Sequence, residues 1–502
     1  MLLAALFVIN CYRAATQSIV HDEALSWQFY LSGPVSSIFE YYTANNHFLA
    51  TLLFRISTAL FGVSALSMRL PTLLAGAWYF RSIFLLGVLV FEDGILFLIA
   101  VGLLALNPIL LDFLVASRGY GLAIAGLFWA LLQMIVYLRE PLDASPNVRR
   151  VRLWKAAAGL GIAFAANLTM LIPDAILAVL FGILIRRRIR PAQSSMEPPD
   201  VPSKKKKKKK IRKTGMTGAS ELLQFFVPLL LIGLAYGLAA PIETAEMQNF
   251  YTGASSAMGS LRNLMEVSFA YGDRAVSLAS PLVRNIWLWC VAAFLAAAVA
   301  AGIITTLRIL RGSRVQVPTA PQIAVILTST PVVFSAFLLV LAHMITGLPY
   351  PEDRTGLYFV PLSLLCVTAL LKLWEDRLPA PAWWASVAVC GLLVIAFALQ
   401  IQLSSFRVWR YDADTERIFS LIEKRSSGNG PIRLGVSWVL EPALNFYRVT
   451  HGANWLEPVR RDGFDGDRQY YLVTEEDRGE MTRLGLKEIY RGPVSGTVLA
   501  TR

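Results

Sequence analysis

Residues 1–27, MLLAALFVINCYRAATQSIVHDEALSW, run from an apolar segment straight into two adjacent carboxylates. The apolar part, Met1 to about Ile19, comes close to the roughly 20 residues needed to cross a bilayer. Arg13 and Gln17 interrupt it. Either Arg13 snorkels to the interface, or the true start lies upstream of Met1. No basic segment precedes the run and no small-residue cleavage site follows it, which argues against a secretory signal. Asp22 and Glu23, flanked by His21, therefore stand where the chain leaves the membrane. Carboxylates are costly in hydrocarbon, so a pair here is either a solvated turn or a functional site. The plain alternative for Asp22 is the N-cap of a short helix beginning at Glu23.

The rest of the chain supports a membrane reading. Its 502 residues are 55% hydrophobic and 16% charged, against roughly 25% charged in soluble domains. The net charge of +13 would suit nucleic acid, but the cations sit in a few segments between apolar spans, where they set orientation in a bilayer. No nucleic-acid partner is expected. Cys11, Cys290, Cys366 and Cys390 lie in apolar runs without metal-type spacing, and are read as small buried hydrophobes.

After the first span, apolar spans are expected near 70–91, 95–112, 119–138, 153–171, 173–186, 221–241, 286–308, 322–346, 357–374 and 383–403. That makes about eleven transmembrane helices and a mainly α, polytopic fold over residues 1–403. Residues 20–69 form a first outer loop with short interfacial helices. Residues 187–220 form a disordered, basic cytoplasmic loop. Its Lys204–Lys210 run reads as a solvated linker that fixes topology, in preference to an anionic-lipid or nucleic-acid patch. With the N-terminus in the cytoplasm, inner segments hold Lys and Arg over outer ones by about three to one. Asp22 then falls outside. Residues 404–502 change character: helices near 411–424 and 441–447 and strands near 432–438 and 469–473 make a small α/β domain on the outer face. It carries no phosphate-loop or Ser-His-Asp pattern, and no chemistry is assigned to it.

This topology gathers ionisable residues at one membrane edge. Asp22, Glu23 and His47 come from the first outer loop, and Asp112, Arg118 and Tyr120 from the turn before the 119–138 span. Glu352, Asp353, Arg354 and Tyr358 follow the 322–346 span, near His343, which is read as a satisfied bundle histidine. Arg118 and Arg354 immediately precede spans, at headgroup depth, where a guanidinium can meet a lipid phosphate in bidentate fashion or simply anchor the helix.

Several pieces, in order, resemble the integral-membrane GT-C glycosyltransferases. They are Asp22-Glu23, Asn46-His47-Phe48-Leu49, Leu60-Phe61-Gly62-Val63-Ser64 and Met68-Arg69-Leu70-Pro71. Asn107-Pro108, Ala116-Ser117-Arg118-Gly119-Tyr120 and Asp353-Arg354-Thr355-Gly356-Leu357-Tyr358 follow. The likeness is to the bacterial branch near the protein O-mannosyltransferases, aminoarabinose transferases and Rgt-type sugar transferases. It covers about residues 1–375 and, more weakly, the C-terminal domain. The resemblance implies a bacterial inner-membrane enzyme with a polyprenyl-phosphate-linked sugar as donor. It also implies an inverting displacement at the outer face and a first-loop Asp as base. Asp22 matches that Asp and Glu23 its acidic neighbour, both entered as catalytic. Arg354 and, more weakly, Arg118 match the cations at the lipid phosphate, with His47 and Tyr358 beside them. His21, Asn46, Tyr120 and Arg69 are placed at the site as acceptor or structural residues. Where this chain has Asn45-Asn46-His47-Phe48, many relatives carry a basic residue and prolines.

The residues support such chemistry on their own terms. One carboxylate can take the acceptor's proton while cations meet the charge gathering on the leaving phosphate. No cofactor is required. A divalent metal stays open, with Asp22, Glu23 and His47 as hard or borderline ligands. The sugar, and whether the acceptor is lipid, glycan or protein, are not encoded legibly. Two other classes remain. A transporter of lipid-linked saccharides would use the interruptions at Pro108, Pro173 and Pro228, although no internal repeat accompanies them. A non-catalytic assembly protein would tolerate changes at Asp22 and Arg354.

Overall fold

A computed structural model describes residues 1–141, 143–194, 218–244, 253–270, 280–312, 318–426, 431–466 and 468–502. The Lys204–Lys210 run lies outside them. Helix α1 (Leu2–Thr16) is followed by α2 (His21–Ser26), which continues through a π-helical turn at Trp27–Leu31. The α1 axis and the His21–Leu31 axis meet at 67°. Short helices α3 (Ser37–Glu40) and α4 (Phe48–Phe61) lead to the long α5 (Ala65–Phe91). Next come α6 (Ile95–Ala105), α7 (Pro108–Phe113), α8 (Gly119–Arg139), α9 (Pro146–Ala166), α10 (Leu171–Ser194) and α11 (Gly218–Ala239). The membrane part ends with α12 (Ala257–Phe269), α13 (Pro281–Arg311), α14 (Ala320–Thr346), α15 (Phe359–Leu373) and α16 (Ala380–Leu399).

Among the described residues, eight helices are long and apolar enough to cross a membrane, or nine if the bent α1–α2 pair counts as one. Two of the about eleven expected segments fall short of that length or apolarity. The 95–112 segment breaks at Asn107-Pro108, where Asn107 caps α7 through the Leu110 N–H. The expected 153–171 span is instead α9, whose first turns carry Arg149, Arg150, Arg152 and Lys155. Helix α10 runs on to Ser194 and α11 begins at Gly218; the rest of the expected 187–220 loop lies outside the described residues. Cys290 is exposed and not buried, since its face of α13 turns away from the bundle.

Helices α8 and α9 meet through glycine. A Cβ on Gly126 would lie 2.6 Å from the Gly159 carbonyl oxygen, and one on Gly159 2.8 Å from that of Gly126. Small residues let membrane helices approach this closely. On the far side of the pair, buried Glu221 of α11 accepts from Arg149 Nη1 at 2.8 Å and from the Tyr137 hydroxyl at 2.7 Å.

Residues 404–502 form the expected α/β domain. Its sheet has the order β1-β2-β4-β3, built from β1 (Leu434–Val436), β2 (Tyr470–Val473), β3 (Lys487–Arg491) and β4 (Val498–Thr501). β1 and β2 are parallel, and β4 is antiparallel to both β2 and β3. Helices α17 (Thr415–Arg425) and α18 (Glu441–Thr450) supply Ile418, Phe419, Ile422, Leu444 and Phe446 to its core. That same core takes in Ile19, Ala24, Trp27 and Met68 of the N-terminal segment. The domain and the acid-bearing turn are therefore packed as one body.

Candidate active site

The acidic turn is held from below by a buried ion pair. Arg69 of α5 donates from Nε and Nη2 to the two oxygens of Glu23, at 2.9 and 2.6 Å, and both side chains are 0% exposed. The remaining Arg69 donors reach the carbonyls of Ala14, Gln17 and Ser18 at 3.1, 2.7 and 2.8 Å. One guanidinium thus satisfies the orphan carbonyls where α1 ends. Glu23 also accepts from the Ser117 N–H at 2.7 Å, the Ser117 hydroxyl at 3.0 Å and the Val20 N–H at 3.1 Å. Burial would raise its proton affinity. Arg69 and these hydrogen bonds outweigh that and hold the carboxyl below its ordinary value. Arg13 does not snorkel: it is buried and paired with Asp112, whose other oxygen accepts from the Arg407 N–H at 2.9 Å.

Asp22 is not a helix cap. The cap is Val20, and α2 begins two residues earlier than Glu23, at His21. Adjacent helical residues point about 100° apart, and the Asp22 side chain accordingly faces a different set of partners from Glu23. Arg354 Nη2 lies 3.0 Å and Arg118 Nη2 3.5 Å from Asp22 Oδ2. Burial would raise the Asp22 carboxyl, but the two guanidiniums prevail and hold it below its ordinary value.

Each arginine is positioned by local structure. Arg118 precedes α8, where Gly119 allows close packing: a Cβ there would lie 2.0 Å from the Ala166 carbonyl oxygen. Its Nη1 donates to Asn45 Oδ1 and lies 3.4 Å from the Asp22 carbonyl and the Ser26 hydroxyl. Arg354 sits in the turn Asp353–Gly356. Asp353 has φ +46°, a left-handed conformation that costs a non-glycine residue energy. Asn263 of α12 clamps it, accepting from the Asp353 N–H at 2.6 Å and donating to Asp353 Oδ1 at 3.3 Å. Trp409 lies under the Arg354 guanidinium, 5.7 Å from ring centroid to Cζ.

Of the other expected site residues, His47 caps α4 and meets the Tyr120 ring edge-on at 5.1 Å. Burial, then Arg118 and Arg354, hold His47 well below its ordinary value, so it is neutral. His47 Nε2 and Arg118 Nε are buried with no hydrogen-bond partner among the described residues. Asn46 is structural in its contacts, donating to the carbonyls of Ile38 and Tyr41 at 3.1 and 2.9 Å. Tyr358 is buried and stacked on Phe359, with ring centroids 4.4 Å apart. His343 lies 2.8 Å from the Leu348 carbonyl through Nδ1 and against the Tyr350 ring.

The C-terminal domain completes the candidate site. The His21 N–H donates to Asp412 Oδ2 at 2.7 Å, and the Ile19 N–H donates to the Tyr447 hydroxyl at 2.8 Å. His21 Nδ1 lies 2.6 Å from the Val439 carbonyl. That carbonyl can only accept, so the ring carries its proton on Nδ1. Burial lowers the His21 value, consistent with a neutral ring. Asp412, fully buried, is pushed well above its ordinary value by desolvation. Asn263, Trp409 and Asp412 carried no sequence signal, since each matters only through a contact distant along the chain.

Among the described residues no group of three His, Cys, Asp or Glu side chains is placed to hold a metal ion. Asp22 faces arginines and Glu23 faces Arg69, so the Asp22–Glu23–His47 set is not assembled. Beside the Arg354 turn lies an apolar cavity of about 490 Å³ between α12, α13, α14 and α15, with Tyr350 and Pro351 in its wall.

No family model and no curated protein matches the sequence. Among solved structures, the chain is similar to ArnT from Cupriavidus metallidurans bound to undecaprenyl phosphate. The TM-score is 0.39 at 12% identity, over 99% of this chain and 97% of that one. It is also similar to the Archaeoglobus fulgidus oligosaccharyltransferase in complex with Zn and sulfate, with TM-score 0.44 and 11% identity over 100% of this chain and 73% of that one.

Proposed function

We propose that this protein transfers a sugar from a polyprenyl-phosphate-linked donor to an acceptor hydroxyl at the outer face of the cell membrane. The observation that carries the reading is one carboxylate, Asp22, lying against two buried or half-buried arginines beside an apolar cavity. Arg354 and Arg118 suit the donor phosphate, and the buried, unpartnered Arg118 Nε and His47 Nε2 are polar atoms that its oxygens and hydroxyls would satisfy. The cavity suits the first isoprenes of the lipid.

In the reaction the acceptor oxygen attacks the anomeric carbon while the bond from that carbon to the phosphate oxygen breaks. The acceptor proton passes to Asp22, and the electron pair stays on the lipid phosphate, where guanidiniums stabilise it. Glu23 takes no proton in this scheme. Its oxygens are engaged by Arg69 and Ser117, so it positions the turn. Tyr120 and His47 shape the wall beside the phosphate. Asn46 and Arg69 support the backbone, and Tyr358 packs behind the site. With the N-terminus in the cytoplasm, as the cation distribution favours, Asp22 and the C-terminal domain face outward.

The test is sugar release from a panel of polyprenyl-phosphate hexoses and pentoses by purified protein, beside Asp22→Asn and Arg354→Ala. Release that disappears in Asp22→Asn supports the assignment. Undiminished release in that variant removes Asp22 as base. Movement of lipid-linked saccharide across proteoliposomes without bond cleavage would favour a transporter.

A further inference from the structure

On this reading the two arginines have two claimants. Arg354 Nη2 and Arg118 Nη2 both lie near the same oxygen of Asp22, at 3.0 and 3.5 Å, as ion pairs without an aligned hydrogen bond. Most Arg118 donors are already engaged, and Nε is left without a partner among the described residues. Its Nη1 is engaged by Asn45 and the α2 backbone, and its Nη2 also lies 3.3 Å from the Ala44 carbonyl. A phosphate accepting from these guanidiniums in bidentate fashion would neutralise the charge that now faces Asp22.

We propose that the donor phosphate and Asp22 compete for Arg354 and Arg118, so that binding the donor releases the base that will act on the acceptor. This rests on the functional reading above and adds regulation of that same site.

The charges around Asp22 make the exchange consequential. On its own helix stand His21, neutral, and Glu23, already paired with Arg69. From α8 come Arg118 and Tyr120, from the turn before α15 Arg354, and from the outer domain Tyr411 and Asp412. The two arginines are the cations that keep Asp22 ionised against burial. When a phosphate anion neutralises them, burial and the nearby acids act unopposed, and Asp22 gains proton affinity. A counter-ion thereby becomes a base, and only when a donor is in place.

The experiment is calorimetric titration of purified protein with undecaprenyl phosphate in detergent, in two buffers of different ionisation enthalpy. Wild type is expected to take up protons on binding. Asp22→Asn, freed of the competing charge, should bind about tenfold tighter and take up fewer protons, whereas Arg354→Ala should bind more weakly. Binding by wild type without proton uptake overturns the competition and needs no variant to fold. Equal or weaker binding by Asp22→Asn also overturns it, while leaving phosphate recognition standing. No binding by any of the proteins overturns the functional reading, and the inference with it.

Discussion

Glu23 and Arg69 form an ion pair closed to solvent on both sides, two hydrogen bonds wide, that ties the acid turn to α5. Breaking such a pair leaves an uncompensated buried charge and costs about 3–5 kcal/mol. Glu23→Ala should therefore lower thermal stability in detergent far more than Asp22→Asn, although the two positions are neighbours. The double change Glu23→Leu with Arg69→Met should recover part of the loss. Equal melting temperatures for the two single variants would show that Glu23 does not anchor the turn.

Asp22→Asn should reduce sugar transfer by about 10²–10⁴-fold, the usual share of general-base catalysis. The pH profile carries a sign. Because Arg118 and Arg354 hold Asp22 below its ordinary value, its ionised form adds stability above the unfolded Asp value of about 3.9. That contribution is lost as pH falls through the folded value. If the donor displaces those arginines, the acid limb of kcat lies at higher pH than that of kcat/KM, since the two report the bound and free enzyme. Coincident limbs would count against displacement.

Asp412 works through an acceptor oxygen, not through its charge. Burial raises its proton affinity, so the ionised form is disfavoured in the fold. Stability is therefore lost as pH rises from the unfolded value towards the folded one. Asp412→Asn keeps an oxygen for the His21 N–H and should melt at or above the wild-type temperature at neutral pH. Asp412→Ala should lower both melting temperature and turnover. Thermal scans at acid and neutral pH separate the two.

Asn263 lies on a helix far from the chemistry in sequence, yet it braces the strained residue before Arg354. Backbone strain of this kind costs about 1–3 kcal/mol and persists only where its surroundings impose it. Asn263→Ala should raise the KM for donor several-fold while leaving the melting temperature near wild type. Unchanged donor kinetics would remove Asn263 from the positioning role.

Gly119 marks where α8 presses on the end of α9. Gly119→Ala forces a shift of backbone against backbone, with an expected cost of about 1–3 kcal/mol, as for overpacked cores. Since Arg118 is the preceding residue, donor turnover should fall along with stability, and a thermal scan beside the release assay reads both.

Much of this arrangement could be read from the chain. The apolar runs marked most of the spans, and the acid pair after α1 marked the turn. Cations standing just before the helices of Gly119 and Phe359 marked the two arginines that meet Asp22. Two features misled. The 95–112 run counted as one span despite the interruption at Pro108, because hydropathy does not register an Asn-Pro cap, and Arg13 looked interfacial because its partner Asp112 lies 99 residues away. Glu23 could not be told from Asp22 by residue type. One helical step turns one towards Arg69 and the other towards Arg354, and that step depended on α2 starting at His21.

The shared core of the C-terminal domain and the acid turn bears on how the protein can change. Ile19, Ala24, Trp27 and Met68 are buried against Ile418, Phe446 and Leu499, and the His21 N–H is held by Asp412. A graft of residues 404–502 from another protein would have to reproduce that contact surface or leave the turn unsupported. The domain cannot then be exchanged as a cassette. It has to be re-engineered by small substitutions on its exposed face, such as around Trp438, while the face under it stays as it is.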